Sequence, residues 1–167
     1  MLKRIVLAAI AAAATILPVG AEIQDSTASL LRTLDQNGIL VTINHEACST
    51  NQAHGQYRWV GIRRELRLCP GETVDAIDHK TVRHETMHAI QHCVNSARGT
   101  DFNLPTISDE DVFTEFVTTY LSPEVAQNIF ELYPQEHWLV ELEAFAAAEA
   151  FTAAELEKMF LLACVAN

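Results

Sequence analysis

The segment Thr81-Val82-Arg83-His84-Glu85-Thr86-Met87-His88-Ala89-Ile90-Gln91-His92-Cys93 concentrates the residues of this chain that could do chemistry. Residues four apart on an α-helix share one face, one turn apart. His84 and His88 can therefore present two neutral imidazole nitrogens to one ion, and Zn²⁺ suits such a pair at about 2.1 Å per bond. Glu85 sits beside them, placed to take a proton from water held at that ion. The plain alternative is a helix whose histidines are incidental.

The neighbouring residues are read from the same helical geometry. His92 continues the row but lies about 12 Å along the axis from His84, too far for one ion to hold all three. It is expected beside the site or at the surface. Cys93 stands about half a turn around the axis from His84 and so points away from the metal face. The chain has 4 cysteines, an even number that favours two disulfides in an exported protein. No two of them form a CxxC pair, which argues against a structural zinc knuckle. Of the three possible pairings, Cys48–Cys69 would staple the strand region and Cys93–Cys164 would tie the last helix to the histidine helix.

The elements that must position these residues can be read from pattern and punctuation. Leu30, Leu31 and Leu34 share a face of a helix over 26–37, capped by Asp25 or Ser26 and ended by Gly38. Strands are expected at 39–44, 56–62 and 64–69, followed by a turn at Pro70-Gly71. A long helix should run over 73–94, with a break near Asp78, and a loop over 95–106 should follow. Ser108 to Asp111 open a helix that reaches Tyr120, Ser122-Pro123 open another, Pro134 begins a third that ends near Phe151, and Thr152 caps a last one to Cys164. The expected fold class is α+β: a small N-terminal sheet region packed on the histidine helix, then a helical C-terminal half.

Residues 81–93 resemble the active-site helix of the zincin metallopeptidases. The resemblance covers about thirteen residues and is architectural elsewhere. It implies zinc, an activated water, hydrolysis of peptide bonds and Glu85 as the catalytic base. It also implies a small sheet whose edge strand, here Arg64 to Leu68, pairs with an extended substrate peptide. Gln91 and Val94 stand where the metzincin branch needs a glycine and a third histidine, so that branch is excluded. The gluzincin branch takes its third ligand from a glutamate on a later helix. Glu141, with Ala144 three residues on, fits that outline, with Glu143 as the runner-up and Glu115, also in an apolar stretch, as the next alternative. A glutamate buried in so apolar a helix needs a partner, which a metal would supply. His137, one turn before Glu141, could orient it or be an exposed histidine. Tyr57, Tyr120 and Tyr133 are each able to donate to a developing oxyanion, and Tyr133 is nearest in sequence to the third-ligand helix.

Bulk properties set the context. At 167 residues and 49% hydrophobic, the chain is long enough for one domain with a single core. Lys3-Arg4, an apolar run from Ile5 to Val19 and the small residues Gly20 and Ala21 read as a secretory signal over 1–21. The remaining 22–167 form one domain in this reading, secreted or periplasmic. The formal charge is −11 and becomes two units more negative without the leader. Such a chain should repel nucleic acid and anionic membrane; the peptide or protein expected as its partner is what the zincin resemblance implies. Two rival readings stand beside a zinc hydrolase: a non-catalytic zinc-binding or partner-binding module, and a purely structural exported domain held by disulfides.

Overall fold

The computed structural model describes residues 19–44, 48, 54–69 and 78–166, with the backbone alone for 19–25. The expected leader therefore lies, except for its last three residues, outside the described residues. No described helix is long and apolar enough to cross a membrane.

The chain opens with helix α1 (Val19–Gln36) and strand β1 (Ile39–Ile43), followed by strands β2 (Gly55–Val60) and β3 (Arg63–Leu68). Helix α2 (His79–Arg98), α3 (Glu110–Tyr120) and α4 (Pro123–Leu132) come next. A short 3₁₀ turn (Gln135–His137) leads into α5 (Trp138–Ala150), and α6 (Ala153–Cys164) closes the described chain. The molecule is thus a mixed α and β fold, mostly helical, with one small sheet ahead of the helical half.

The caps explain the helix boundaries. Asp78 accepts from the Lys80 and Thr81 N–H groups and starts α2, so the helix begins where a break was expected; residues 70–77 lie outside the described set. At its other end α2 runs four residues past the expected Val94. The stop comes only at Gly99, whose left-handed φ of 66° supplies the C-cap. Asn95, expected to open a loop, instead stays helical and fully buried, and its amide donates to Leu104 O at 2.6 Å to fold the following segment back. Asp109, Ser122 and Thr152 cap α3, α4 and α6 as their types predict, the last in a full capping box. Pro134 initiates the 3₁₀ turn rather than α5 itself.

The sheet has the order β1-β3-β2, with β1 parallel and β2 antiparallel to β3. This corrects the expectation that 64–68 is an edge strand: β3 is the centre, paired on both sides (Val41↔Leu66 and Tyr57↔Leu66), and β2 is an edge. The physical reason lies in the alternation of β3. Leu66 and Leu68 are buried towards the helices, and Glu65 and Arg67 pair at 2.7 Å on the other face, so β3 takes the position with most burial. Gly61, at φ 63°, makes the tight link between β2 and β3. Ile62, read as strand from its β-branched type, is 99% exposed in that link.

Two apolar clusters share the molecule. The first joins α1, the sheet, α2 and α6 through Leu34, Ile39, Leu66, Ile90, Leu156 and Phe160. The second joins α3 and α4 to α5 through Phe113, Val117, Ile129, Leu142 and Ala146. Helix α5 serves both, with Ala144 and Ala147 in the first cluster and Leu142 and Ala146 in the second. Its alanines let it lie close along α2. Both expected disulfides are present: Cys48–Cys69 (Cα–Cα 5.5 Å) on the sheet and Cys93–Cys164 (Cα–Cα 5.2 Å) between α2 and α6.

Candidate metal centre

Three side chains from two helices meet in a cleft of about 440 Å³ between β2, α2 and α5. His84 Nε2 and His88 Nε2, one turn apart on α2, are 3.0 Å from each other. Glu141 of α5 reaches both, at 3.3 Å from His84 Nε2 and 3.5 Å from His88 Nε2. Ligand atoms about 2.1 Å from a tetrahedral ion stand about 3.4 Å from one another, so these separations match a site for one ion. Glu141 Oε2 is buried and makes no hydrogen bond, as expected of an atom whose partner is a cation. The group fits a metal, and its donor set of two imidazoles and a carboxylate is compatible with zinc.

The electrostatics follow from this crowding. Burial opposes charge on His88, but the Glu141 carboxylate, Glu85 and the Gln91 hydrogen bond outweigh it and raise its pKa to about 9. Burial would raise Glu141 as well, yet the two histidines hold it low, at about 2. Without a metal, the pair is a buried imidazolium and carboxylate.

Glu85 lies next to the ligands and is held by the sheet. Its Oε2 accepts from the Tyr57 backbone N–H at 2.5 Å, which shows that this side of β2 faces α2 rather than β3. The approach depends on Gly55. A Cβ there would stand 2.4 Å from Thr81 Cγ2 and 3.0 Å from Glu85 Cγ, so only glycine lets β2 come this close.

The other expected residues are distributed as follows. Tyr133 lines the cleft; burial, with the Glu141 and Glu85 carboxylates, raises its pKa to about 12, so its hydroxyl keeps its proton. Tyr57 also lines the cleft, but its hydroxyl is engaged with His92 Nδ1 at 2.8 Å. Tyr120 packs its ring on Phe116 and lies away from the cleft. His137 lines the cleft and is half-buried. His92 is likewise half-buried beside the site, its pKa lowered by burial and by Arg64.

Two alternative ligands are excluded. Glu115 is exposed on α3 and is not a member of the group. Glu143 is 1% exposed, but its carboxylate is taken up by Gln91, Thr106 and Ile107. Successive residues on a helix are about 100° apart, so Glu143 faces well away from Glu141. Burial did demand partners for it, and they are Gln91 of α2 and the segment at Thr106 and Ile107.

Sequence reasoning missed three features. Trp59 meets His92 and Phe102 edge to face and His92 lies tilted against Phe102, with ring centroids 4.5–4.7 Å apart, and the three form an aromatic wall of the cleft. Gly55 carried no local signal, because its need arises only from the approach of another element. Gln91 bridges α2 and α5, donating to Val140 O at 3.0 Å; its position one turn beyond His88 was the available clue.

Comparison with known proteins adds no relative: no family model, no curated protein and no solved structure matches this chain.

Proposed function

We propose that this protein is an exported zinc-dependent peptidase. The observation that carries the reading is the meeting of His84 Nε2, His88 Nε2 and a Glu141 carboxylate from a distant helix, with Glu85 alongside. A bound Zn²⁺ would lower the pKa of a coordinated water to about 7 and polarise a carbonyl oxygen. The residues of the chain supply the rest. His84, His88 and Glu141 hold the ion. Glu85, steadied at one oxygen by the Tyr57 N–H, takes a proton from the attacking water and passes it to the leaving amine. Tyr133, protonated at neutral pH, donates to the developing oxyanion. An extended peptide would lie along the outer edge of β2 beyond the Tyr57 N–H, with an apolar side chain against Trp59 and Phe102.

A non-catalytic zinc module is the second reading. It needs a fourth protein ligand, as structural sites do. All four cysteines are in disulfides, and the described group has three members, which favours the hydrolase. Export is supported by the leader-like start of the chain and by the disulfides.

The test is a pair of variants assayed on a mixed peptide library. Glu85→Gln should retain one zinc per chain and lose about 10²–10⁴-fold in turnover, whereas His84→Ala should lose the zinc. Undiminished turnover in Glu85→Gln would reject the general-base role. Wild-type protein that binds zinc yet cuts nothing would favour the binding module.

A further inference from the structure

Beside the candidate ligands runs a buried polar chain that the proposed hydrolysis does not use. It starts at Glu143, 1% exposed. Glu143 Oε2 accepts from Gln91 Nε2 and from the Thr106 N–H, both at 2.8 Å. Oε1 accepts from Thr106 Oγ1 at 2.6 Å and from the Ile107 N–H at 2.9 Å. Three of these four donors are N–H groups that cannot accept, so the carboxyl group acts as an acceptor on both oxygens.

That arrangement dictates the orientation of Gln91. Its amino group must face Glu143, and it also donates to Val140 O. Its carbonyl oxygen is then the atom 2.8 Å from His88 Nδ1. An amide oxygen only accepts, so His88 must carry a proton on Nδ1. Nε2 is left as the nitrogen free to bind a metal, and it is Nε2 that faces His84 and Glu141. His84 has no such support: its Nδ1 is buried without a hydrogen-bond partner.

We propose that Glu143, acting through Gln91, is the positioning residue of the metal centre. It orients the Gln91 amide, which selects the ligating nitrogen of His88 and holds the ring in place. The inference rests on the reading that His84, His88 and Glu141 hold a metal. The same carboxylate anchors the loop at Thr106 and Ile107, just beyond Phe102 and Asn103 of the cleft wall. One buried group thus ties a ligand and a wall of the cleft together.

The experiment is zinc affinity, measured on the purified protein by competition with a chromophoric chelator. Gln91→Met keeps the side-chain volume without the amide, and Glu143→Gln places an amino group among donors. Each should weaken zinc binding about 10–100-fold while the variant stays folded by circular dichroism. A purely structural role would lower the melting temperature of metal-free and zinc-loaded protein alike and leave the dissociation constant unchanged, which would overturn the proposal. Should Glu143→Gln fail to fold, Gln91→Met and the wild type decide. Long-range ¹H–¹⁵N spectra of zinc-loaded wild type should show His88 protonated at Nδ1, and a proton on Nε2 would overturn the proposal. If wild type binds no zinc, the metal reading falls and the inference with it. If wild type binds and both variants bind as tightly, the inference alone falls.

Discussion

On one side of the seam marked by α5, helices α1, α2 and α6 and the sheet bury Leu34, Leu66, Ile90 and Phe160 together, and both disulfides join parts of this side. On the other side, α3 and α4 hold Phe113, Val117 and Ile129 against α5 by packing, without a covalent link. The candidate ligands straddle the difference. His84 and His88 belong to the cross-linked side, and Glu141 comes from the helix that both sides share. Polar ties already run along the α2–α5 contact: Lys80 pairs with Glu149 at one end, Arg83 Nε donates to Ala148 O at 2.8 Å, and Gln91 reaches Val140 O at the other. The contrast teaches that an ion at this position would act as a further cross-link, at the junction the disulfides do not cover.

The largest effect expected from breaking this contrast is removal of the covalent link on the first side. Cys93–Cys164 closes a sequence separation of 71 residues, and the chain-entropy relation puts its loss at about 4 kcal/mol. Denaturant unfolding of the Cys93→Ala/Cys164→Ala variant should read that change. A loss below about 1 kcal/mol would mean that packing alone holds α6 on α2.

A smaller effect should come from the ion. Zinc at about 100 times its dissociation constant should add about 2.7 kcal/mol to stability. Hydrogen exchange should show the added protection concentrated in α5, α3 and α4 rather than in α6. Even protection of all helices would erase the distinction between the two sides.

The smallest readout is a single proton. In the metal-free protein the pKa of His88 stands near 9, above its ordinary value of about 6.5. Its pairing with Glu141, whose carboxyl is held at about 2, therefore stabilises the metal-free fold fully between the ordinary carboxylate range and about pH 6.5; that contribution is lost as pH rises through about 9 and as it falls through about 2. Zinc needs the neutral ring, so binding at pH 7 should release close to one proton from His88, and affinity should rise with pH towards about 9. Calorimetry in buffers of different ionisation enthalpy counts the proton. No release at pH 7 would show that His88 is already neutral.

Much of the helical layout was legible from local signals. Asp109, Ser122-Pro123 and Thr152 are capping residues whose preference is intrinsic, so α3, α4 and α6 begin where they were expected. The HExxH spacing likewise needs nothing beyond helical geometry to put His84 and His88 on one face. Strand order was not legible, because β2 and β3 carry similar alternation and only burial on both flanks makes β3 central. Asn95 and Ile62 were misread for the same kind of reason: each type has a local preference that tertiary context overrides.

The chain's own residue order determined the helix caps, the pair of imidazoles one turn apart, the glutamate between them and the cysteines available to pair. Tertiary structure alone decided which of two glutamates, two residues apart on α5, faces the histidines and which is consumed by Gln91 and the segment at Thr106 and Ile107. It also decided that Gly55 must be a glycine and that Gln91 sets the proton on His88. Those outcomes depend on distances between elements remote in sequence, and a one-dimensional pattern does not contain such distances until the helices and sheet have packed.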